Sequence, residues 1–315
     1  MYRVGIDLGG TAIKAGLVDE NWNIVRDMSI PTDAHRPWQE VALDMAAMVK
    51  RLVADAQVNM EEVAGIGIGS PGTIDASTGT VVYSNNIVWE DVPLGEFIGE
   101  VCGKAVKVSN DANCAALGEV VAGAGRGVKN AIMLTLGTGV GGGIVIDGKV
   151  FEGGHAGGAE LGHTVIRAGG QLCTCGRRGC LEAYASATAL IAFTKRAAEN
   201  DPLSLIWKMA EGNLDNVNGR TVFDASDAGD ATAAKVVREY IENLGIGITD
   251  FVNVFRPDVV ILGGGVCAQG EKLTAPIEAY VRDHAFGADL GFTPRVVTAT
   301  LGNRAGIIGA AALSE

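Results

Sequence analysis

The spacing of apolar and polar positions changes several times along the chain, and each change marks an element. Residues 2–18, YRVGIDLGGTAIKAGLV, read as two apolar strands around a glycine turn. Between positions 41 and 57, Val41, Met45, Met48, Leu52, Val53 and Ala56 fall at helical spacing. The run GIGIGSPG from Gly65 is a strand entering a Pro-Gly turn. VKVSND is a short strand, and the alanine-rich stretch after it predicts a helix through about Ala122. A long amphipathic helix is expected over 231–255, with Val237, Tyr240, Ile241, Leu244, Ile248, Phe251 and Phe255 along one stripe and Pro257 ending it. VVILGGGV, 259–266, is a buried strand running into a glycine turn, and the tail AGIIGAAALS reads as a last helix.

The opening pattern occurs twice. Asp7-Leu-Gly-Gly followed by Leu17-Val-Asp19 matches Thr135-Leu-Gly-Thr followed by Val145-Ile-Asp147 without a gap. Two strand–glycine-turn–strand units heading two halves predict a duplicated α/β architecture, against the alternative of two unrelated glycine-rich hairpins.

Composition narrows the function classes. The 315 residues are 48% hydrophobic and 20% charged, as in soluble globular chains, and 45 are glycine, a share that favours tight turns and close backbone approach to a ligand. Twenty-five basic against 37 acidic side chains leave a net charge of −12, which repels nucleic acid and anionic membranes. Backbone N–H groups can still bind phosphate locally. No charged-then-apolar leader precedes the first strand and no apolar run nears membrane-spanning length, so a cytoplasmic location is expected. In that compartment six cysteines point to thiols or metal rather than disulfides.

Three of those cysteines, Cys173, Cys175 and Cys180, lie within eight residues, with His163 ten positions before the first. Three thiolates and one imidazole form a closed tetrahedral zinc site, structural because no coordination position stays open. Three glycine-rich turns follow strands: DLGGT (7–11), LGTGVGGG (136–143) and LGGGV (262–266). Each alone fits a plain hairpin; together they can cradle a nucleotide with backbone amides. Asp7 is placed to hold Mg²⁺ through water, and Thr11 and Thr138 offer hydroxyls to phosphate. Lys14 is either a further phosphate contact or an ordinary strand lysine.

Asn110-Asp111 stands between a strand and a helix, where an aspartate serves as an N-cap or as a general base toward a hydroxyl. Glu160 precedes His163 by three residues and Glu182 follows Cys180 by two. Zinc would bring their loops together, and such carboxylates suit a polyhydroxylated ligand.

These residues resemble one family across essentially the whole chain, the ROK group of bacterial sugar kinases within the sugar kinase and actin superfamily. DLGGTAIKAG and LGTGVGGG resemble its two phosphate motifs, CTCGRRGCLE its CxCGxxGCxE signature, AELGH its ExGH motif, NDAN its catalytic-base motif and ILGGGV its adenosine motif. The resemblance implies a duplicated actin-like, ribonuclease H-like α/β fold of two domains with an interdomain cleft, the small domain 1–112 plus 297–315 and the large domain 113–296 carrying the zinc loop. It implies ATP-dependent phosphorylation of a hexose at its 6-hydroxyl, with Asp111 as base. Asn86 (in an Asn-x-x-Trp motif), Asn110, Asp111, Glu160, His163 and Glu182 would hold the sugar, and His163 with Cys173, Cys175 and Cys180 would bind zinc. ATP and Mg²⁺ would meet Asp7, Gly9, Gly10, Thr11, Lys14, Gly137, Thr138, Gly139, Gly264 and Gly265. Ala159, where glycine is commoner, and Leu161, in place of isoleucine, depart from the pattern.

Family repressors carry a helix-turn-helix domain before the first phosphate motif; here that motif begins at Asp7, and a kinase is expected. GCLEAYASATAL and GVGGGIVIDG look most like the family's glucokinases, favouring glucose over N-acetylmannosamine or fructose, and a homodimer or homotetramer is usual. A sugar sensor without catalysis is the rival from outside the enzymes, and ADP release with a hexose separates the two.

Overall fold

The computed structural model describes residues 1–154 and 157–315. The chain runs through β1 (Tyr2–Leu8), β2 (Ala12–Val18), β3 (Ile24–Pro31), α1 (Trp38–Asp55), β4 (Val63–Ser70), β5 (Thr73–Asp75), β6 (Thr80–Ser84), β7 (Trp89–Val92), α2 (Leu94–Cys102), β8 (Val106–Asn110) and α3 (Asp111–Ala122). There follow β9 (Ala131–Leu136), β10 (Val140–Ile146), β11 (Lys149–Val150), α4 (Glu182–Ala185), α5 (Ala187–Glu199), α6 (Leu205–Met209), α7 (Thr221–Asp227) and α8 (Ala231–Phe255). The last elements are β12 (Val259–Gly263), α9 (Glu271–His284), β13 (Arg295–Thr298) and α10 (Ala305–Ala312).

Two five-stranded sheets share one plan. Their orders are β3-β2-β1-β4-β8 and β11-β10-β9-β12-β13, each an antiparallel hairpin extended by later strands. Strands β1 and β4, β4 and β8, and β12 and β13 run parallel. The hairpin of β9 and β10 repeats that of β1 and β2 in strand ends and turn length, which makes the duplication read in the sequence a structural one. A third, three-stranded sheet has the order β5-β6-β7.

By its contacts the chain divides into Met1–Met133 with Gly143–Ala159 and Thr300–Glu315, and Leu134–Gly142 with Glu160–Ala299. Helix α3 packs on α10 within the first of these units.

Successive strand residues point to opposite faces, and the first sheet writes its faces with different side chains. Val4, Ile6 and Leu8 of β1 and Ile66 and Ile68 of β4 join a core with Val41, Met45, Val49 and Leu52 of α1. Burial contributes about 1.5–3 kcal/mol per such side chain. The other face carries Gly5 in β1 and Gly67 in β4, where an added Cβ would overlap the carbonyl oxygens of Ile307 and Ala310. The backbone of α10 therefore lies directly on the strands. Gly309, whose Cβ would overlap the Cys114 carbonyl, lets α3 approach α10 as closely.

A fully buried carboxylate fixes the returning C-terminal segment. Glu119 in α3 accepts hydrogen bonds from Ala124 N (2.7 Å), Thr300 N (2.9 Å), Leu301 N (2.8 Å) and Thr300 Oγ1 (3.2 Å). Four donors offset the cost of taking that group out of water.

In the second unit α8 spans the expected residues. Arg256 ends it in a left-handed conformation (φ 46°), immediately before Pro257, which cannot continue the helix. Its buried face is turned by about one residue from the expected stripe: Val236 is buried and Val237, Ile241 and Phe255 are half-buried. Neighbours on several sides explain this. Gly245 meets Tyr280 of α9, Gly247 meets Leu181, and Tyr240 donates to Ala185 O at 2.8 Å.

Replacing Gly67 by alanine is expected to lower stability by about 2 kcal/mol or more, since no side-chain movement relieves overlap with the α10 backbone. Gly154→Ala, with no atom within 4 Å of the new Cβ, is expected to leave the denaturation midpoint unchanged. Chemical denaturation of both variants checks the pair.

Candidate functional site

In the first unit, Asp7 lies on the glycine face of β1 near its end, opposite Lys14 of β2. Its carboxylate is 3.5 Å from Lys14 Nζ, and a Cβ added at Gly306, in the first turn of α10, would come within 3.0 Å of its Cγ. Burial pushes the Asp7 carboxyl up from its ordinary value, while the Lys14 ammonium pulls it down. Lys14 is thus the cross-strand ion-pair partner of Asp7. In the turn, Gly9 N donates to Ala12 O at 3.0 Å, and Gly10 and Thr11 are exposed. Thr32, fully buried, braces this turn: its Oγ1 donates to Gly9 O at 2.5 Å and its N donates to Thr11 O at 3.1 Å. Asn86, exposed between β6 and β7, lies against Gly10. The first phosphate turn and one expected sugar contact are thereby neighbours.

At the junction of β8 and α3 the capping role expected of Asp111 falls to its neighbour. Asn110 is the N-cap, its Oδ1 accepting from Ala112 N (2.9 Å) and Asn113 N (3.4 Å) while its Nδ2 donates to Gly72 O (3.1 Å). Asp111 is the first helical residue, half-buried, and its Oδ1 also accepts from Ala112 N at 2.9 Å. Capping therefore belongs to Asn110.

In the second unit the turn of β9 and β10 holds Gly137, Thr138 and Gly139. Gly137 N donates to Gly139 O at 3.0 Å, Gly137 O accepts from Ala187 N at 2.9 Å, and Thr138 is exposed. Gly264, after β12, has φ 96° and ψ 172°, a conformation essentially closed to other residues. A Cβ there would overlap Leu136 O, so the turn carrying Gly264 and Gly265 abuts the end of β9. Two of the three glycine turns read from the sequence are thus contiguous.

The four expected metal ligands converge. The ligand atoms of His163, Cys173, Cys175 and Cys180 all lie within 4.8 Å of one another, with Cys175 Sγ–Cys180 Sγ and Cys173 Sγ–His163 Nδ1 both 3.7 Å. A tetrahedron with Zn–S bonds of about 2.3 Å has edges near 3.8 Å, so the donor set fits zinc. Burial and the neighbouring thiols push the Cys180 thiol up to about 12. A dication at the centre reverses this by displacing the protons. Ligation through Nδ1 leaves His163 Nε2 as an oriented donor.

Glu182 opens α4, and its Oε1 accepts from Thr174 Oγ1 (2.6 Å) and Cys173 Sγ (3.4 Å). Oε2 accepts from Val140 N (3.1 Å) and touches the space a side chain at Gly139 would need. Burial works to raise its pKa, but these bonds and the nearby His163 outweigh it and hold the carboxyl below its ordinary value. One carboxylate so ties the cysteine loop to the turn between β9 and β10. Glu160 is exposed before a single 3₁₀ turn, Leu161–His163. Ala159 precedes it at φ 67°, the left-handed region that makes glycine the commoner residue there.

Sequence reasoning missed Thr32, Thr174 and Glu152. Glu152 is half-buried and accepts from Ser109 Oγ (2.6 Å) and Asn113 Nδ2 (3.3 Å), on either side of Asn110-Asp111. Its only signal in the sequence is a carboxylate entering a glycine-rich segment.

Comparison with known proteins accords with this geometry. The ROK family profile matches residues 3–315. A glucokinase of Thermotoga maritima is 39% identical over 98% of this chain and 96% of its own length, and one of Halalkalibacterium halodurans is 37% identical over 98% and 93%. Among solved structures, a ROK family glucokinase from Streptomyces griseus in complex with glucose and AMPPNP is 35% identical, covers 99% of both chains and has a TM-score of 0.77. The ROK hexokinase from Thermus thermophilus is 34% identical, covers 99% of this chain and 97% of its own, and has a TM-score of 0.81.

Metal analysis of the purified protein is expected to give one zinc per chain, and Cys180→Ser to retain less than about a tenth of it, because three ligands no longer close the tetrahedron. Ala159→Gly is expected to raise stability by up to about 1 kcal/mol by removing the left-handed strain. An unchanged or lowered midpoint in thermal denaturation would count against that assignment of strain.

Proposed function

The chain belongs to the ROK family, and on that footing we propose that it is an ATP-dependent hexokinase acting at the 6-hydroxyl, with glucose the favoured substrate. The observation that carries the assignment of the base is the division of labour at the start of α3. Asn110 caps the helix, so capping does not account for the carboxylate that follows it.

In this reading Asp111 accepts the proton of the sugar's 6-hydroxyl as that oxygen attacks the γ-phosphorus of ATP, the bond to ADP breaks, and hexose 6-phosphate forms. Phosphoryl transfer asks for alignment and charge neutralisation more than covalent help, and an ionised aspartate is the base protein kinases use for the same step. Asn86, Asn110, Glu160, His163 and Glu182 hold the remaining hydroxyls. The turns carrying Gly9 and Gly10 and carrying Gly137 and Gly139, the hydroxyls of Thr11 and Thr138, and Lys14 meet phosphate oxygens, and Gly264 and Gly265 leave room for the adenosine. Mg²⁺ near Asp7 would neutralise charge on the β- and γ-phosphates. His163, Cys173, Cys175 and Cys180 would hold zinc, which would supply no chemistry to the transfer and would tie down the loop that carries Glu160, His163 and Glu182.

We also propose a cytoplasmic enzyme, in keeping with six free cysteines, assembled as a homodimer or homotetramer. Among the described residues no helix is long and apolar enough to cross a membrane.

Asp111→Asn is expected to lower kcat by about 10²–10⁴-fold with the affinity for glucose kept within a modest factor. ADP release measured across glucose, mannose, fructose, N-acetylglucosamine and N-acetylmannosamine should show the highest kcat/KM for glucose. A near-normal kcat in the variant removes the base assignment, and no ADP release with any hexose removes the kinase reading.

A further inference from the structure

The NDAN segment is read as one catalytic residue on a capped helix, yet a second carboxylate grips it from outside. Glu152 follows β11, more than forty positions from β8 in sequence, and its two oxygens are divided between the flanks of the junction. Oε1 takes Ser109 Oγ at 2.6 Å, two residues before Asp111; Oε2 takes Asn113 Nδ2 at 3.3 Å, two residues after it. Both partners are buried, Ser109 completely and Asn113 at 2% exposure. Neither bond is needed to form the strand or the helix, whose backbone and cap are complete without them. The backbone of Glu152 is also committed, since its carbonyl accepts from Gly158 N at 3.3 Å on the way to Ala159 and Glu160.

We infer that Glu152 is the positioning residue of the general base: by bridging Ser109 and Asn113 it fixes the β8–α3 junction and with it the direction of the Asp111 carboxylate. The inference rests on the reading of Asp111 as that base. A bridge from one strand residue to one helix residue resists the two motions that would swing Asp111, rotation of the first helical turn and fraying of the strand end. Rates fall steeply with misplacement, about a hundredfold for 1 Å, so a distant clamp of this kind acts on turnover rather than on binding.

The remaining polar atom of the cluster supplies a conservative variant. Among the described residues Asn113 Oδ1 is buried without a hydrogen-bond partner. Burial also pushes the Glu152 carboxyl up, against the bonds from Ser109 and Asn113. A neutral glutamine can keep the bridge, its Oε1 accepting from Ser109 and its Nε2 donating to Asn113 Oδ1 once that amide turns over.

Steady-state kinetics of Glu152→Ala with glucose and ATP are expected to show kcat lowered by about ten- to a hundredfold, with both KM values within about threefold of the parent. Glu152→Gln is expected to restore at least half of the lost activity. A purely structural role would lower thermal stability without this separation of kcat from KM. An alanine variant with kcat within about twofold of the parent, or a loss that glutamine does not restore, overturns the inference. Should Glu152→Ala not fold, Ser109→Ala removes the shorter bond alone and is expected to lower kcat about three- to tenfold; an unchanged kcat there is equally fatal. Asp111→Asn run alongside separates the two readings. If it is active, the base assignment falls; if it is inactive while Glu152→Ala is fully active, only the clamp falls.

Discussion

The approach of α10 to the glycine face of the first sheet is the constraint on which the first unit is built. With Gly5 and Gly67 in place of side chains, the helix backbone rests on β1 and β4, and Gly309 draws α3 in just as closely. Asp7 shares that face, so close packing puts its carboxylate against the first turn of α10 and leaves Lys14 as its counter-ion. Close packing of this kind tolerates no added volume. It also places the start of α3, and hence Asn110-Asp111, in the same packed unit as the first glycine turn.

The two halves repeat a hairpin but not its chemistry. Position 7 is a carboxylate in the first hairpin and the equivalent position 135 is a threonine in the second. The second hairpin turn is instead tied outward, through Val140 N and Glu182, to the loop that gathers three cysteines and a histidine. Duplication supplied two glycine turns of one geometry. Divergence gave one of them an acid beside a lysine and the other a neighbouring loop with a Cys₃His cluster.

Three carboxylates do much of the internal fastening, and each resolves the same conflict. Glu119, Glu152 and Glu182 lose hydration and regain hydrogen bonds from backbone and side-chain donors. Glu119 secures the chain where it returns to the first unit at Thr300 and Leu301. The Glu182 carboxyl is held below its ordinary value because its donors outweigh burial. Glu152, with two donors, is pushed the other way. For these two acids the balance of donors against burial, rather than burial alone, sets the direction of the shift.

The sequence by itself determined the elements whose signals are local: the glycine hairpins, α8 to its last residue, the Cys₃His donor set, and the strand-to-helix step at Asn110-Asp111. Periodicity and short spacings carry those features because the groups concerned sit within a turn or two of each other. The tertiary structure alone decided that Asn110 rather than Asp111 caps α3, that Lys14 pairs with Asp7, and that the face of α8 is turned toward Val236. It alone revealed Thr32, Glu152 and Glu182 as braces, joined to their partners across 23, 43 and 42 residues. A hydrogen bond at such separation leaves no period and no motif in the chain; it exists only once packing has brought the two ends together.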